Sequence, residues 1–141
     1  LADLEVAALD ALLGVFDLTG QVCAEALGFQ PYSGTGGQLD FMIAAARSKG
    51  GKGLMCLSST FTDKEGVMHS RIKPFLDPCT IVTVPRSYCQ YVITEYGIAD
   101  LRGKTTWERA ELLISIAHPD FRDELVEAAK KQRIWDIRNK Y

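Results

Sequence analysis

The sequence predicts an α/β layered domain, an open sheet with flanking helices, on three observations. Residues 54–57, 80–84 and 91–94 are short apolar or β-branched runs bounded by turn residues, with the length and composition of strands. Leu39, Met42, Ile43 and Ala46, and later Ala110, Leu113, Ile114 and Ala117, recur at helical spacing. Strands separated by glycine turns and helices define the layered class. At 141 residues the chain has room for one ordinary core.

The elements follow in order. Residues 3–13 place Leu4, Ala7, Ala8, Ala11 and Leu12 at helical spacing, which predicts a short amphipathic helix stopped by Gly14. Asp17-Leu18-Thr19-Gly20 reads as a tight turn, its Asp bonding its own backbone and Gly20 taking the left-handed position. Residues 28–33 read as loop. Gly34, Gly36 and Gly37 leave the next stretch free to take φ > 0 and to bring N–H groups against another molecule. The helix it opens ends in Ser48-Lys49-Gly50-Gly51-Lys52-Gly53, with cations at the favourable end of the dipole.

Residues 54–57 have the pattern of a strand buried on both faces, ended by the hydroxyls of Ser58, Ser59 and Thr60. Residues 62–69 read as a polar hairpin. Residues 80–84, β-branched throughout and closed by Pro85, are the clearest strand, and residues 91–94 form a third that runs into Glu95-Tyr96-Gly97. Thr105 and Glu108 make a capping box for the helix that follows. His118-Pro119 ends that helix, and Pro119 begins another at its tolerated first position.

The composition is that of a globular domain, with 47% hydrophobic and 24% charged residues and a formal net charge of −2. That balance offers no electrostatic footprint for nucleic acid or an anionic membrane. No apolar run approaches the roughly 18–20 residues of a spanning helix. The first sixteen residues carry acids and no base, unlike a secretory or transit segment. Cys23, Cys56, Cys79 and Cys89 lack ligand spacing, and Cys56 and Cys79 lie in or beside apolar runs, so buried reduced thiols are expected. His69 and His118 lack partners at ligand spacing, so no metal site is expected. A reducing, cytoplasmic compartment fits these thiols.

Three places could carry chemistry. Residues 33–38 form a glycine loop at a helix start, which suits an anion or a developing oxyanion. The loop is neither G-x-G-x-x-G nor a P-loop. Glu95 follows a strand at the end where site residues of open α/β sheets gather, but it could equally pair with Arg102 or Arg86 and hold a turn. Lys49, Lys52, Arg71, Lys73 and Arg86 could meet a phosphorylated ligand or be scattered surface charge. Ser33, His118 and Asp40 could be written as a triad, but no nucleophile elbow supports one.

Several motifs together resemble the acetyl-CoA hydrolase/transferase family, in wording nearest its 4-hydroxybutyrate and butyryl-CoA:acetate CoA-transferase branches. They are Asp17-Leu18-Thr19-Gly20-Gln21-Val22, residues 33–41 (Ser-Gly-Thr-Gly-Gly-Gln-Leu-Asp-Phe), Ser48-Lys49-Gly50-Gly51-Lys52, Ser70-Arg71-Ile72, residues 94–103, Glu108-Arg109-Ala110 and residues 116–122. The resemblance runs from residue 17 to about residue 129. Residues 1–16 depart from the family pattern, lacking its Asn-Ser-Ala segment, and are set apart as an atypical segment before a domain of residues 17–141.

The resemblance implies a class I CoA-transferase-like fold of two similar halves, of which this chain is the C-terminal one. It implies transfer of CoA between a short-chain acyl-CoA (acetyl, butyryl or 4-hydroxybutyryl) and a carboxylate through a glutamyl-CoA thioester. The nucleophilic glutamate would lie upstream, so the chain alone should be silent. Glu95 becomes a supporting active-site residue, Gly37 an N–H donor to the oxyanion, and Ser33, Gly34, Thr35, Gly36 and Gln38 substrate-binding. Coenzyme A is implied as substrate, with no metal or bound organic cofactor. The N-terminal half is the implied partner, and a homo-oligomer is compatible. Acyl-CoA hydrolysis and a non-catalytic CoA-binding scaffold are the alternatives.

Overall fold

The structure, a computed structural model, describes residues 6–10, 14–27 and 30–140. Strands β1 (Val6–Asp10), β2 (Val15–Asp17), β3 (Val22–Cys23), β4 (Ala26–Leu27) and β5 (Gln30–Pro31) precede helix α1 (Gln38–Arg47). Strands β6 (Lys52–Cys56), β7 (Thr60–Thr62), β8 (Met68–Ser70), β9 (Ile72–Lys73), β10 (Tyr91–Thr94) and β11 (Gly97–Asp100) follow, then α2 (Thr106–Ser115) and α3 (Pro119–Lys131). A short 3-10 turn, Ile137–Asn139, follows α3. No described helix is long and apolar enough to cross a membrane.

The main sheet has the order β1-β6-β10-β11. Its first three strands are parallel, with Leu54 opposite Tyr91, Met55 opposite Val92 and Cys56 opposite Ile93, and β11 closes the edge as an antiparallel hairpin. A second sheet runs β3-β2-β9, and β4-β5 and β7-β8 are separate hairpins. Both sheets and all three helices feed one core, with Phe16, Leu18, Met42, Met55, Val92, Leu113 and Leu125 almost wholly buried. The layered α/β class is therefore the observed one, with an open mixed sheet and flanking helices.

Several elements match their local signals. The Asp17 turn forms as its side chain dictates, with Oδ1 accepting from the Thr19 amide (2.9 Å) and the Gln21 amide (3.0 Å) while Gly20 takes φ 93°. The Thr105 capping box is complete, and α3 starts on Pro119 with His118 as N-cap. The 62–69 excursion is the turn of the β7-β8 hairpin.

Two expected elements differ. Residues 80–84 are not a strand: only Val84 bridges to Val22, while Ile81 and Val82 face solvent. The run leaves a turn in which Cys79 takes φ 64°, and Pro85 removes the next ladder donor, so β-propensity finds no partner strand. The 3–13 helix is also not formed where it can be judged. Residues 6–10 are β1, paired in parallel with β6, and the rest of that stretch lies outside the described residues. The helical spacing of this run is overridden by tertiary context, the open parallel position beside β6.

Smaller differences follow the same logic. In α1 the buried residues are Met42 and Ala45, and Ala46 is exposed. Part of the 28–33 loop pairs, since Gln30–Pro31 joins Ala26–Leu27. Cys23 and Cys89 are buried, but Cys79 is exposed on its left-handed turn.

Candidate active site

Parallel strands place their C-terminal ends at one edge of a sheet, and open α/β folds build sites there. Glu95 follows β10 at that edge, and Ser59 lies in the loop after the neighbouring β6. The Ser59 hydroxyl donates to Glu95 Oε1 at 2.6 Å and the Ser59 amide donates to Oε2 at 2.8 Å. Ser59 is fully buried, whereas Glu95 is exposed. One residue thus grips both oxygens and leaves their outer lone pairs toward solvent. Partial burial opposes ionisation, but the Ser59 hydroxyl, the Glu95 and Ser59 amides and, last, His118 outweigh it, holding the Glu95 carboxyl below its ordinary pKa. Glu95 is an anion at neutral pH, suited to accept hydrogen bonds.

The competing pairings of Glu95 do not form. Arg102 is bidentate with Asp100, through Nε at 3.0 Å and Nη2 at 2.9 Å, and lies over the Tyr91 ring. The Arg86 carbonyl accepts from Arg109, and the Arg86 side chain has no carboxylate partner among the described residues. Around Glu95 stands an aromatic group: Tyr96 meets His118 edge-on at 5.5 Å, His118 meets Phe121, and Arg122 lies over Tyr96. His118 Nδ1 accepts the Asp120 amide at 3.3 Å, the N-cap contact of α3.

The glycine loop reaches the same edge by topology. A short turn joins the C-terminus of α1 to the start of β6, so α1 runs antiparallel to β6. Its N-terminus therefore lies toward the C-terminal end of that strand. Gln38 Nε2, on the first turn, stands 3.9 Å from Met55 Sδ near that end. Gly51 and Gly53 permit this packing. A Cβ on Gly51 would lie 2.2 Å from the Ala45 carbonyl oxygen, and one on Gly53 would lie 2.6 Å from Met42 Sδ.

The loop glycines obey a different rule. Gly34, Gly36 and Gly37 do not occupy the left-handed region, contrary to the sequence expectation, and Gly37 is an N-cap at φ −81°. A Cβ on Gly34 or Gly36 would meet nothing within 4 Å, and one on Gly37 would touch only the Phe41 ring at 3.5 Å. Neither backbone strain nor packing demands glycine here. The three positions leave one face of the backbone bare, and the amides of residues 34–39 have no acceptor among the described residues.

Glu25 anchors the loop from below. Its carbonyl accepts the Tyr32 amide at 2.8 Å and the Ser33 amide at 3.4 Å, and its Oε1 accepts from the Thr35 hydroxyl at 3.3 Å. Ser33, Thr35 and Gln38 are thus held with the loop; no hydrogen bond links them to Glu95. Ser33, His118 and Asp40 form no triad either. The cation set is dispersed: Lys73 pairs with Asp77 at 2.6 Å, Lys52 reaches the Gly50 carbonyl, and Arg71 donates to the Gly14 carbonyl over the Phe61 ring. His69 meets Asp63 at 2.6 Å, and no cluster of three metal-ligating side chains occurs among the described residues. Ser59 and Glu25 are the residues that sequence reasoning missed. The hydroxyl run after residue 57 was a signal for the first; Glu25 had none.

Glu95, gripped by Ser59, and the amides of the glycine loop thus stand at the C-terminal edge of an open α/β sheet. The family described as the acetyl-CoA hydrolase/transferase C-terminal domain matches residues 4–129. Butyryl-CoA:acetate CoA-transferase of Anaerostipes caccae is 56% identical over 124 residues, covering 88% of this chain and 28% of that protein. The 4-hydroxybutyrate coenzyme A transferase of Clostridium kluyveri is 50% identical over 116 residues, covering 82% and 26%. The crystal structure of RipA from Yersinia pestis superposes with a TM-score of 0.79 at 43% identity, covering 92% of this chain and 28% of that one. The chain belongs to the acetyl-CoA hydrolase/transferase family, as its C-terminal domain. It spans little more than a quarter of the length of these relatives.

Proposed function

We propose that this domain supplies the oxyanion-binding and carboxylate-positioning half of a CoA-transferase site, moving CoA between a short-chain acyl-CoA and a carboxylate acceptor. The observation that carries the reading is the loop of Gly34, Gly36 and Gly37, where the fold does not need glycine but a closely approaching substrate does. Attack on a thioester or mixed anhydride places negative charge on a carbonyl oxygen. Fixed amides at the positive end of α1 stabilise that charge, and loss of one such donor costs about 2.7–4 kcal/mol in comparable sites.

In this reading the Gly37 amide is the oxyanion donor, and Ser33, Gly34, Thr35, Gly36 and Gln38 line the substrate. Glu95, locked by Ser59, accepts a hydrogen bond from substrate or nucleophile and orients it. The nucleophile is a glutamate of the N-terminal portion, which forms the glutamyl-CoA thioester. Large apolar side chains on the surface, among them Ile98 (65% exposed) and Phe75 (59% exposed), suit burial against that portion.

The test is CoA exchange between butyryl-CoA and acetate. The chain alone is expected to be inert, and the N-terminal portion of a relative, supplied in trans or fused, is expected to restore exchange. Turnover by the chain alone would overturn the assignment of the nucleophile. Release of free thiol without acceptor would replace transfer by hydrolysis, and binding without either reaction would leave a scaffold.

A further inference from the structure

At the end of α2 away from Glu95, about 15 Å along a ten-residue helix, lies a cleft of ≈ 370 Å³ that the acyl-transfer reading does not use. Arg86, Lys104, Arg109 and Arg138 line it, beside Thr105 and Thr106 at the start of α2. Two of the four cations are neutralised within the chain. Lys104 reaches Glu108 at 3.7 Å, and Arg138 is bidentate with Asp136 at 2.8 and 2.9 Å.

The other two are not. Arg109 donates through Nη1 to the carbonyls of Thr19 (3.2 Å) and Arg86 (2.9 Å), and through Nε to that of Lys104 (3.2 Å). Three carbonyls fix the guanidinium in place without cancelling its charge. Gly20 makes room for it, since a Cβ there would stand 3.0 Å from Nη1. Neither Arg109 nor Arg86 has a carboxylate partner among the described residues. Partial burial presses the Arg109 pKa below its ordinary value, with Cys89 opposing the shift and the Arg86 charge adding to it. Two guanidiniums without a carboxylate partner among the described residues thus border the recess: the Arg86 fork is free to meet phosphate oxygens, and Arg109 keeps its Nη2 donors.

We propose that the cleft between the Arg86 loop and the start of α2 binds a phosphate dianion, either free or as a phosphate monoester. The 3′-phosphate of CoA and inorganic phosphate are the two sources of that chemistry. Inorganic phosphate, titrated calorimetrically into the full chain at pH 8 and constant ionic strength, is expected to bind one saturable site. Arg86→Gln is expected to weaken it about tenfold or more, because a charge-assisted contact is lost. The Arg86 side chain is exposed and makes no hydrogen bond among the described residues, so the variant keeps its fold, which circular dichroism checks; Lys104→Gln gives a second exposed change.

CoA and dephospho-CoA then identify the source. A preference for CoA that Arg86→Gln erases assigns the phosphate to the substrate. Equal affinity for the two, with inorganic phosphate still bound, assigns the site to free phosphate. Absence of saturable phosphate binding at constant ionic strength, or equal affinity in wild type and Arg86→Gln, overturns the proposal.

Discussion

Ser59→Ala isolates the grip on Glu95. The substitution removes the hydroxyl that donates at 2.6 Å to Oε1 and leaves the amide that donates at 2.8 Å to Oε2. A hydrogen bond to a charged group contributes about 1.5–3 kcal/mol, and the solvent exposure of Glu95 brings this one below that range, to about 1 kcal/mol. Urea unfolding of Ser59→Ala, Glu95→Ala and the double variant should therefore show a coupling of about 1 kcal/mol. The same bond lowers the Glu95 pKa, so a carbon-detected NMR titration of Ser59→Ala should find the Glu95 carboxyl shifted upward, toward its ordinary value. A coupling near zero together with an unmoved Glu95 titration would refute the claim that Ser59 fixes this carboxylate.

The glycines give a paired expectation. Gly51→Ala drives a Cβ to 2.2 Å from the Ala45 carbonyl oxygen and should destabilise by about 2 kcal/mol or more, whereas Gly36→Ala should leave the unfolding midpoint in place. Thiol labelling of the native chain should be fast at exposed Cys79 and very slow at Cys89, whose pKa burial pushes up to about 12. Asp63, Asp100 and Glu108 are held below their ordinary pKa values by hydrogen bonds from His69, the Arg102 side chain and the Thr105 amide. With folded values depressed, the unfolded chain binds more protons on acidification. Stability is then present above the ordinary carboxylate range, about pH 4, and lost as pH falls through the folded values, a dependence that Asp63→Asn should flatten in urea midpoints against pH.

What could be read from the sequence divides along local and non-local lines. The Asp17 turn, the Thr105–Glu108 box and Pro119 at the first turn of α3 are set within four residues of sequence, and they formed as their side chains dictate. Residues 80–84 and 6–10 depended on a partner. The first run, with ideal strand residues, had no ladder to join, and the second, with helical spacing, lay beside β6. Glu95 stood out from its place after a strand, but its holder, Ser59, is 36 residues away and becomes visible only once β6 and β10 pair. The glycine loop was misread as a conformation: Gly34, Gly36 and Gly37 keep ordinary backbone angles, and an added Cβ on Gly34 or Gly36 would meet nothing within 4 Å.

Gly37→Val tests the proposed role of that loop most directly, in the chain reassembled with an N-terminal portion. A side chain there meets only the Phe41 ring, so the unfolding midpoint and CoA affinity should hold. The rate of butyryl-CoA:acetate exchange should fall by about 100-fold or more as the oxyanion loses access to the Gly37 amide. Exchange at the unaltered rate would contradict the account, and so would a loss of rate matched by an equal loss of folding.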